Sequence, residues 1–599
     1  MKATRVHLIL ILAIVCVFGS FSRSVEYRVY TGVTDADYEV AKFRLWGLMD
    51  ALNGLGLSSR GLWWSQPYHF WEDSTVWWDS GYPYDDGWAD ETCVTVLDGY
   101  CGTYRDGNNW YFLIETKGEW SGVEVVSNLE EYGAPLRLGE TKWWLPNDDS
   151  TEGSCRYLMV LGSNTVAIGP AYVSSGYPNY PRPDLFDRDN AYHANPFEIW
   201  DRPMTNGLRM VMGFTGHSYG STGDRDDWGR FEYYHDHGFS IAESFAKAAL
   251  DADSRHIPVV LVQGTSDAEC LATLAERTFK TSRPWGHLYK RYRYWYREPL
   301  SPNARRNFGI AALSQDTAPS QPALMPLNHA AHVCESTDSK QLETEFASRY
   351  LALVGLEETT PQYKMRAHRT VYQSTDENEA HVDHRQGGFL YHNPRAYLGK
   401  EDGAELTREE CVETARALLE AYGIVTAQEV ELTDVISVRE VVAANAEAAA
   451  AGTGPEPSVL AYTAVFKRKV GELSIVSNDV DTIRVEITTN GQIASLISNY
   501  KHGRVLTEGD PVRPCFVDSA QAFEALAAMG PIDEIKAGLL PGEDGTYVPV
   551  YKVTTSPCES SPGSAYAVHF LRQDTLAPVS VQSVQAVDGY EVKDPEAQE

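Results

Sequence analysis

Between residues 26 and 300, short apolar runs alternate with helix-length amphipathic stretches, and this alternation restricts the fold more than any other feature of the chain. The run EYRVYTG from Glu26 reads as an opening strand. Residues 35–54 carry Ala41, Leu45, Leu48 and Leu52 at helical spacing and end in glycine. After an aromatic loop region come strands at 110–115, 157–161 and 208–214, an amphipathic stretch at 241–250 and a strand at 257–263. Short apolar strands separated by helices predict a mainly parallel sheet covered on both faces, hence a three-layer α/β domain over residues 25–300.

The pattern then changes. Residues 301–325 are rich in Pro, Ser, Ala and Asn and read as a linker. From 326 to 505, helices at 339–356 and 407–422 punctuate strands near 363–372, 387–391, 459–466, 481–487 and 493–498. Asn490-Gly491 between apolar runs is a hairpin signal. Helices laid on an antiparallel sheet make this an α+β domain. The Ala-rich tract 443–451 either extends a helix or forms a flexible insertion. A smaller α+β domain spans 506–587, with a helix at 519–529 and two or three strands, and an acidic tail occupies 588–599. Three or four units suit 599 residues at roughly 150 per domain.

Lys2 and Arg5 precede an unbroken apolar run from Leu8 to Gly19, and small residues follow at Ser20, Ser22 and Ser24. Residues 1–24 therefore read as a secretory signal, with an uncleaved anchor as the rival and no further membrane span. Apart from Cys16 there are eight cysteines, an even count that permits disulfides in an exported chain. Cys93–Cys101 and Cys515–Cys558 are the pairs to try first, and buried free thiols are the alternative. The 83 acidic against 51 basic side chains give a formal charge of −32, a field that repels nucleic acid and favours solubility.

The stretches FWED (70–73), NWYFLIETKG, RYLMVLGSNTV, LRMVMGFTGHSYGS and GFSIAESFAKAAL follow one another in an order that resembles a family of secreted prokaryotic proteins with caspase/gingipain-like architecture. In proteins of that fold, a His on the turn after one strand is the base and a Cys after the next strand is the nucleophile. The resemblance puts Lys117 at the His position and Ser163 at the Cys position. No histidine occurs between His69 and His193, and no cysteine between Cys155 and Cys270; Cys155 lies at the wrong end of its strand. What the resemblance implies is a domain that keeps the fold without the dyad, with a Ser163–Lys117 pair as an enzymatic alternative. The run FKRKVGELSIVSNDVDTIRVEITTNGQIASLI (466–497), with GGFLYHN (387–393), resembles the propeptide-type α+β domains of secreted metallopeptidase precursors and related inhibitor-like modules. Such domains inhibit a peptidase or help it fold. No zinc-peptidase motif follows here, so that role would be exerted in trans or be structural.

Gly216-His217-Ser218-Tyr219-Gly220 matches G-x-S-x-G after a strand, but a polar stretch follows where a nucleophile elbow needs a helix. Ser218 is the alternative nucleophile, with His235, His237, His256 and His287 downstream. His235-Asp236-His237, His329 with His332, and His381-Val382-Asp383-His384 offer metal-ligand residue types without the three or four converging ligands that zinc needs. No metal and no cofactor are expected. The pairs Trp63-Trp64, Trp77-Trp78 and Trp143-Trp144 either pack in the core or bind glycan. The Arg/Tyr alternation at 289–297 reads as a strand with one apolar face, or as a local surface for anions or peptide. The expected function is an exported, non-catalytic, pseudopeptidase-like protein that binds peptide or protein at the cell surface. A serine hydrolase and a polysaccharide-binding protein are the alternatives.

Overall fold

The computed structural model describes residues 25–31, 38–64, 92–98, 101–106, 109–114, 136–137, 155–162, 165–171, 192–201, 204, 207–216, 228–252, 256–282, 289–298, 300, 331–334, 339–359, 361–364, 369–375, 377–384, 388–397, 405–443, 457–470, 473–476, 481–500, 502, 505–508, 532–541, 547–555 and 567–572. The expected signal segment, the linker 301–325, the helix at 519–529 and the acidic tail lie outside them. Among the described residues the chain is mixed α/β, with seven helices and one large mixed sheet.

In chain order the first half carries β1 (Glu26–Thr31), α1 (Tyr38–Gly54), β2 (Ser58–Trp64), β3 (Val94–Asp98), β4 (Cys101–Asp106), β5 (Asn109–Ile114), β6 (Leu136–Arg137), β7 (Tyr157–Val160), β8 (Gly169–Ala171) and β9 (Tyr192–Ala194). It continues with α2 (Pro196–Ile199), β10 (Met210–Phe214), α3 (Gly229–Asp236), α4 (Ile241–Ala252), β11 (Pro258–Gly264), α5 (Asp267–Leu274) and β12 (Tyr289–Glu298). Strands β2, β1, β3, β7 and β10 lie side by side and parallel. The parallel run ends there, because β11 and β12 turn antiparallel. The expected mainly parallel sheet is therefore five strands wide. The strand expected at 110–115 is β5, which pairs with β4 and β6 in a separate three-stranded sheet.

The continuous apolar runs have a physical reason, since both faces of these strands are covered. Met210, Met212 and Phe214 of β10 enter one core with α1, α4 and α5, and Val211 enters the opposite core with Phe197, Ile199 and Trp200 around α2. Strands buried on both sides lose the apolar–polar alternation of a one-faced sheet. Helix α4 starts at a reciprocal cap, in which Glu243 N donates to Ser240 Oγ at 3.2 Å and Ser240 N donates to Glu243 Oε2 at 3.2 Å.

The second half contains β13 (Ala331–Cys334), α6 (Ser339–Leu353), β14 (Gln362–Lys364), β15 (Arg369–Gln373), β16 (Glu379–Asp383), β17 (Gly388–His392), α7 (Arg408–Ala421), β18 (Val430–Ala443) and β19 (Ser458–Val470). After these come β20 (Leu473–Ser474), β21 (Thr482–Thr488), β22 (Ile493–Ser498), β23 (Val505–Glu508), β24 (Ile532–Pro541), β25 (Tyr547–Thr555) and β26 (Ala567–Arg572). The hairpin between β21 and β22 turns at Asn490-Gly491, with Gly491 at φ +86. Antiparallel strands run β14-β15-β16-β17-β22-β21-β19-β18, and α6 and α7 cover one face through Tyr350, Leu353, Cys411, Ala415 and Leu419. Sequence patterning did not separate β16 or β18 as strands. The last sheet, β24-β25-β26, meets the rest where Val476 N donates to Leu539 O at 3.0 Å.

Strand β12 joins the two halves. It pairs with β11 on one edge and, from Lys290 opposite Ala443 to Glu298 opposite Val435, with β18 on the other. The large sheet therefore runs unbroken from β14 to β2. Ile436, Val438, Ala461 and Val465 of the second half belong to the same core as α1 and α4.

Candidate functional site at the carboxyl edge of the parallel strands

Ligands of open parallel sheets bind outside the carboxyl ends of the strands. Here those ends are Thr31, Asp98, Val160 and Phe214 on β1, β3, β7 and β10. Leu161 N donates to Leu97 O at 2.7 Å, so the chain leaves β7 still attached to β3. Thr165 then clamps the returning segment. Its hydroxyl donates to Gly162 O at 3.1 Å and accepts from Phe214 N at 3.0 Å, while Trp200 Nε1 donates to Thr165 O at 3.1 Å. Gly213 allows this approach, because a Cβ there would lie 2.4 Å from the Thr165 hydroxyl.

Ser163 lies between Gly162 and Thr165 in sequence, and Ser218 follows Gly216, which has φ +75. Ser163, Ser218 and Lys117 themselves lie outside the described residues. The two serine-bearing segments leave adjacent parallel strands at one edge of the sheet. Lys117 follows β5, which is not in the large sheet; the neighbours of β7 are β3 and β10. Strand adjacency therefore does not pair Lys117 with Ser163. What sequence reasoning missed is Asp98, fully buried at the end of β3 and in register with Thr31. The only signal was an acid closing the apolar run Val94–Leu97 ahead of a glycine.

The described thiols lie elsewhere. Cys93, Cys155, Cys270 and Cys411 are buried, and none of them forms a disulfide. Cys93 Sγ donates to Lys280 O at 3.7 Å, so the expected Cys93–Cys101 disulfide is not made. Cys515 and Cys558 lie outside the described residues. Burial pushes Cys93 up to about 12 despite Arg156 and Arg209 nearby, and likewise lifts Cys270 to about 12 and Cys411 to about 11. Cys155 stands just before β7, at the end opposite the carboxyl edge.

Two of the three histidine clusters converge. His237, at the end of α3, and His381, on β16, meet with ring centroids 4.9 Å apart. His381 Nε2 lies 2.9 Å from Glu379, which also pairs with Arg277 at 3.2 Å. Their neighbours are engaged separately: His235 contacts Arg277 O at 2.6 Å and His384 contacts Thr370 Oγ1 at 2.7 Å. Among the described residues no group of three or more His, Cys, Asp or Glu could hold a metal ion.

The Arg/Tyr run is neither one-faced nor a surface. Arg291 and Arg293 are buried and both pair with Glu440 of β18, Arg291 also with Asp267, while Tyr292 and Tyr294 fill the core under α2. Lys290 pairs with Asp201 and Arg297 with Asp434. The tryptophans of the pairs at 77–78 and 143–144 lie outside the described residues, as do the side chains of Trp63 and Trp64.

Comparisons with known proteins add little. No family model and no curated protein matches the chain. A solved structure of the C-terminal domain of Bacillus megaterium YpeB is similar over 40% of this chain and 95% of its own length, at 10% identity and a TM-score of 0.23. A likeness that weak carries no argument about fold or function.

Proposed function

We propose that this is an exported, non-catalytic protein of the pseudopeptidase type that binds peptide or protein, with the carboxyl edge of the parallel strands as its binding edge. The carrying observation is the state of the described thiols. A cysteine peptidase needs a thiolate, whereas Cys93, Cys270 and Cys411 are buried and protonated at neutral pH. The caspase/gingipain-like resemblance supplies the class. The lack of histidine between His69 and His193 supplies the loss of the dyad. Clamped segments leaving β7 and β10 supply a rigid edge against which an extended chain can lie.

The second reading, a serine hydrolase, rests on one geometric fact. Gly216, with φ +75, turns the chain sharply out of β10 two residues before Ser218. The next described helix, α3, starts only at Gly229. A fluorophosphonate probe on the mature protein, with the modified residue mapped and denatured protein as control, separates the two readings. The expected result is no fold-dependent label at Ser218 or Ser163, together with saturable retention of peptides on the native protein. Fold-dependent label at either serine makes the protein a hydrolase. A polysaccharide-binding protein would instead be retained on insoluble glycan and released by soluble sugar.

A further inference from the structure

Helices α3 and α4 from the first half lie against β16, β17, β21 and β22 from the second, and most of that seam is charged. His392 Nε2 lies 3.1 Å from Glu243 Oε2. Lys247 Nζ donates to Glu486 Oε2 at 3.1 Å and to Ser495 Oγ at 3.3 Å. Arg484 pairs with Asp251, which also accepts from Tyr234 OH at 2.6 Å. Arg277 reaches Glu379. The apolar share is small: Tyr234, Phe239, Leu390 and Ile497. At one end stands the pair His237–His381, each 1% exposed.

We propose that this seam is an acid-opened latch whose closing contact is the His237–His381 ring pair. The groups facing the pair come from each element around it. Helix α3 supplies the Tyr233 ring 4.2 Å from His237, the Tyr233 carbonyl that accepts from His237 Nδ1 at 2.5 Å, and Asp236 and His235 in the same turn. Arg277 follows α5, Arg369 comes from β15, and Glu379 stands beside His381 on β16. Beyond them are His392 on β17 and Glu243 on α4. A proton on His237 would put a cation in ring contact with His381 and near Arg369, while Glu379 already serves Arg277 and His381.

Burial, then Arg369 and His381, hold His237 well below its ordinary value. The sign follows from linkage. The open seam binds a proton at His237 at an ordinary histidine value of about 6.5 and the closed seam does not, so closure is fully favoured above that pH and weakens as pH falls below it. Glu243 does not blur this window. Burial alone would raise it, but His392, Lys247 and Arg293 together hold it well below the usual carboxylate range.

Hydrogen exchange on the full mature chain between pH 7.5 and 5.0, corrected for intrinsic rates, tests the latch. Segments 233–243, 379–384 and 388–392 should lose protection on acidification, by up to about tenfold per pH unit for each proton taken up. Segments 290–298 and 435–443, in β12 and β18, should stay protected. The double substitution His237→Gln and His381→Gln should flatten the pH dependence of the seam. Unchanged protection, loss spread equally to β12 and β18, or an undiminished pH response in the double variant would each overturn the latch. Should that variant fail to fold, C2-hydrogen exchange of the histidines in the wild-type chain decides. His237 should take up a proton only as the seam opens. Titration of His237 near 6.5 with the seam still protected would defeat the proposal.

Discussion

Arg291 and Arg293 stand in the most basic stretch of the chain, yet neither serves the surface. Both guanidinium groups converge on Glu440, and all three side chains are at least nine-tenths buried. Removing one partner of a buried ion pair costs about 3–5 kcal/mol, because the remaining charge is left in a medium that cannot solvate it. Glu440→Gln should therefore lower the stability of the folded chain by about that amount, read from urea denaturation midpoints. A loss under about 1 kcal/mol would mean that water reaches the pair. The sequence supported the strand at 289–297 but not its burial, because charge was read as exposure. The same limit hid Asp98, a lone acid at the end of an apolar run.

At the element scale, legibility followed burial. Strands β7 and β10 are apolar throughout, β11 is apolar up to Gln263, and all three sit where their runs predicted, as do α4 and the hairpin at Asn490-Gly491. Strand β18 was missed. Its sequence VELTDVISVREVVA interrupts the apolar positions with Asp434, Arg439 and Glu440, all of which find opposite charges on β12: Arg297, Glu298, and Arg291 with Arg293. Pairing across a ladder conceals a central strand from any rule that reads polarity as a solvent face. The parallel-to-antiparallel change at β11 was equally hidden, since it depends on where the chain returns rather than on which residues make the strand. Gly491 gives a test at this scale. At φ +86, with Leu406 the nearest atom to a built Cβ at 3.6 Å, Gly491→Ala meets no clash and only backbone strain. The cost should be about 1–2 kcal/mol, measured by equilibrium unfolding; a neutral result would mean that the turn relaxes to another type.

For the molecule as a whole, the division expected near residue 300 runs into an unbroken ladder. Strand β12 has β11 on one side and β18 on the other, and the main core draws Ile436, Val438, Ala461 and Val465 from beyond the expected linker. A chain of residues 25–300 alone would expose the whole outer edge of β12 with its unpaired backbone groups, a template for wrong pairing. It should aggregate, or bind a hydrophobic dye as a loosely packed state, whereas the full mature chain should be monodisperse at the same concentration. A soluble fragment 25–300 with sharp, cooperative melting would show that the halves are separate folding units. The latch proposed at the α3–α4 seam requires the ladder to hold while the seam opens, so the two experiments bear on each other through β12 alone.

The ladder also sets a timetable for biosynthesis. Strand β12 leaves the ribosome with one neighbour made and the other not yet translated, since every residue between Glu298 and Val430 comes first. At about 5–20 residues per second, the nascent chain waits about 7–26 s with a ten-residue strand rich in tyrosine and arginine unmatched on one edge. A chain threaded across a membrane before folding never experiences that interval in the cytosol. If it folds there during synthesis, a holding chaperone has a defined place and a defined moment to bind.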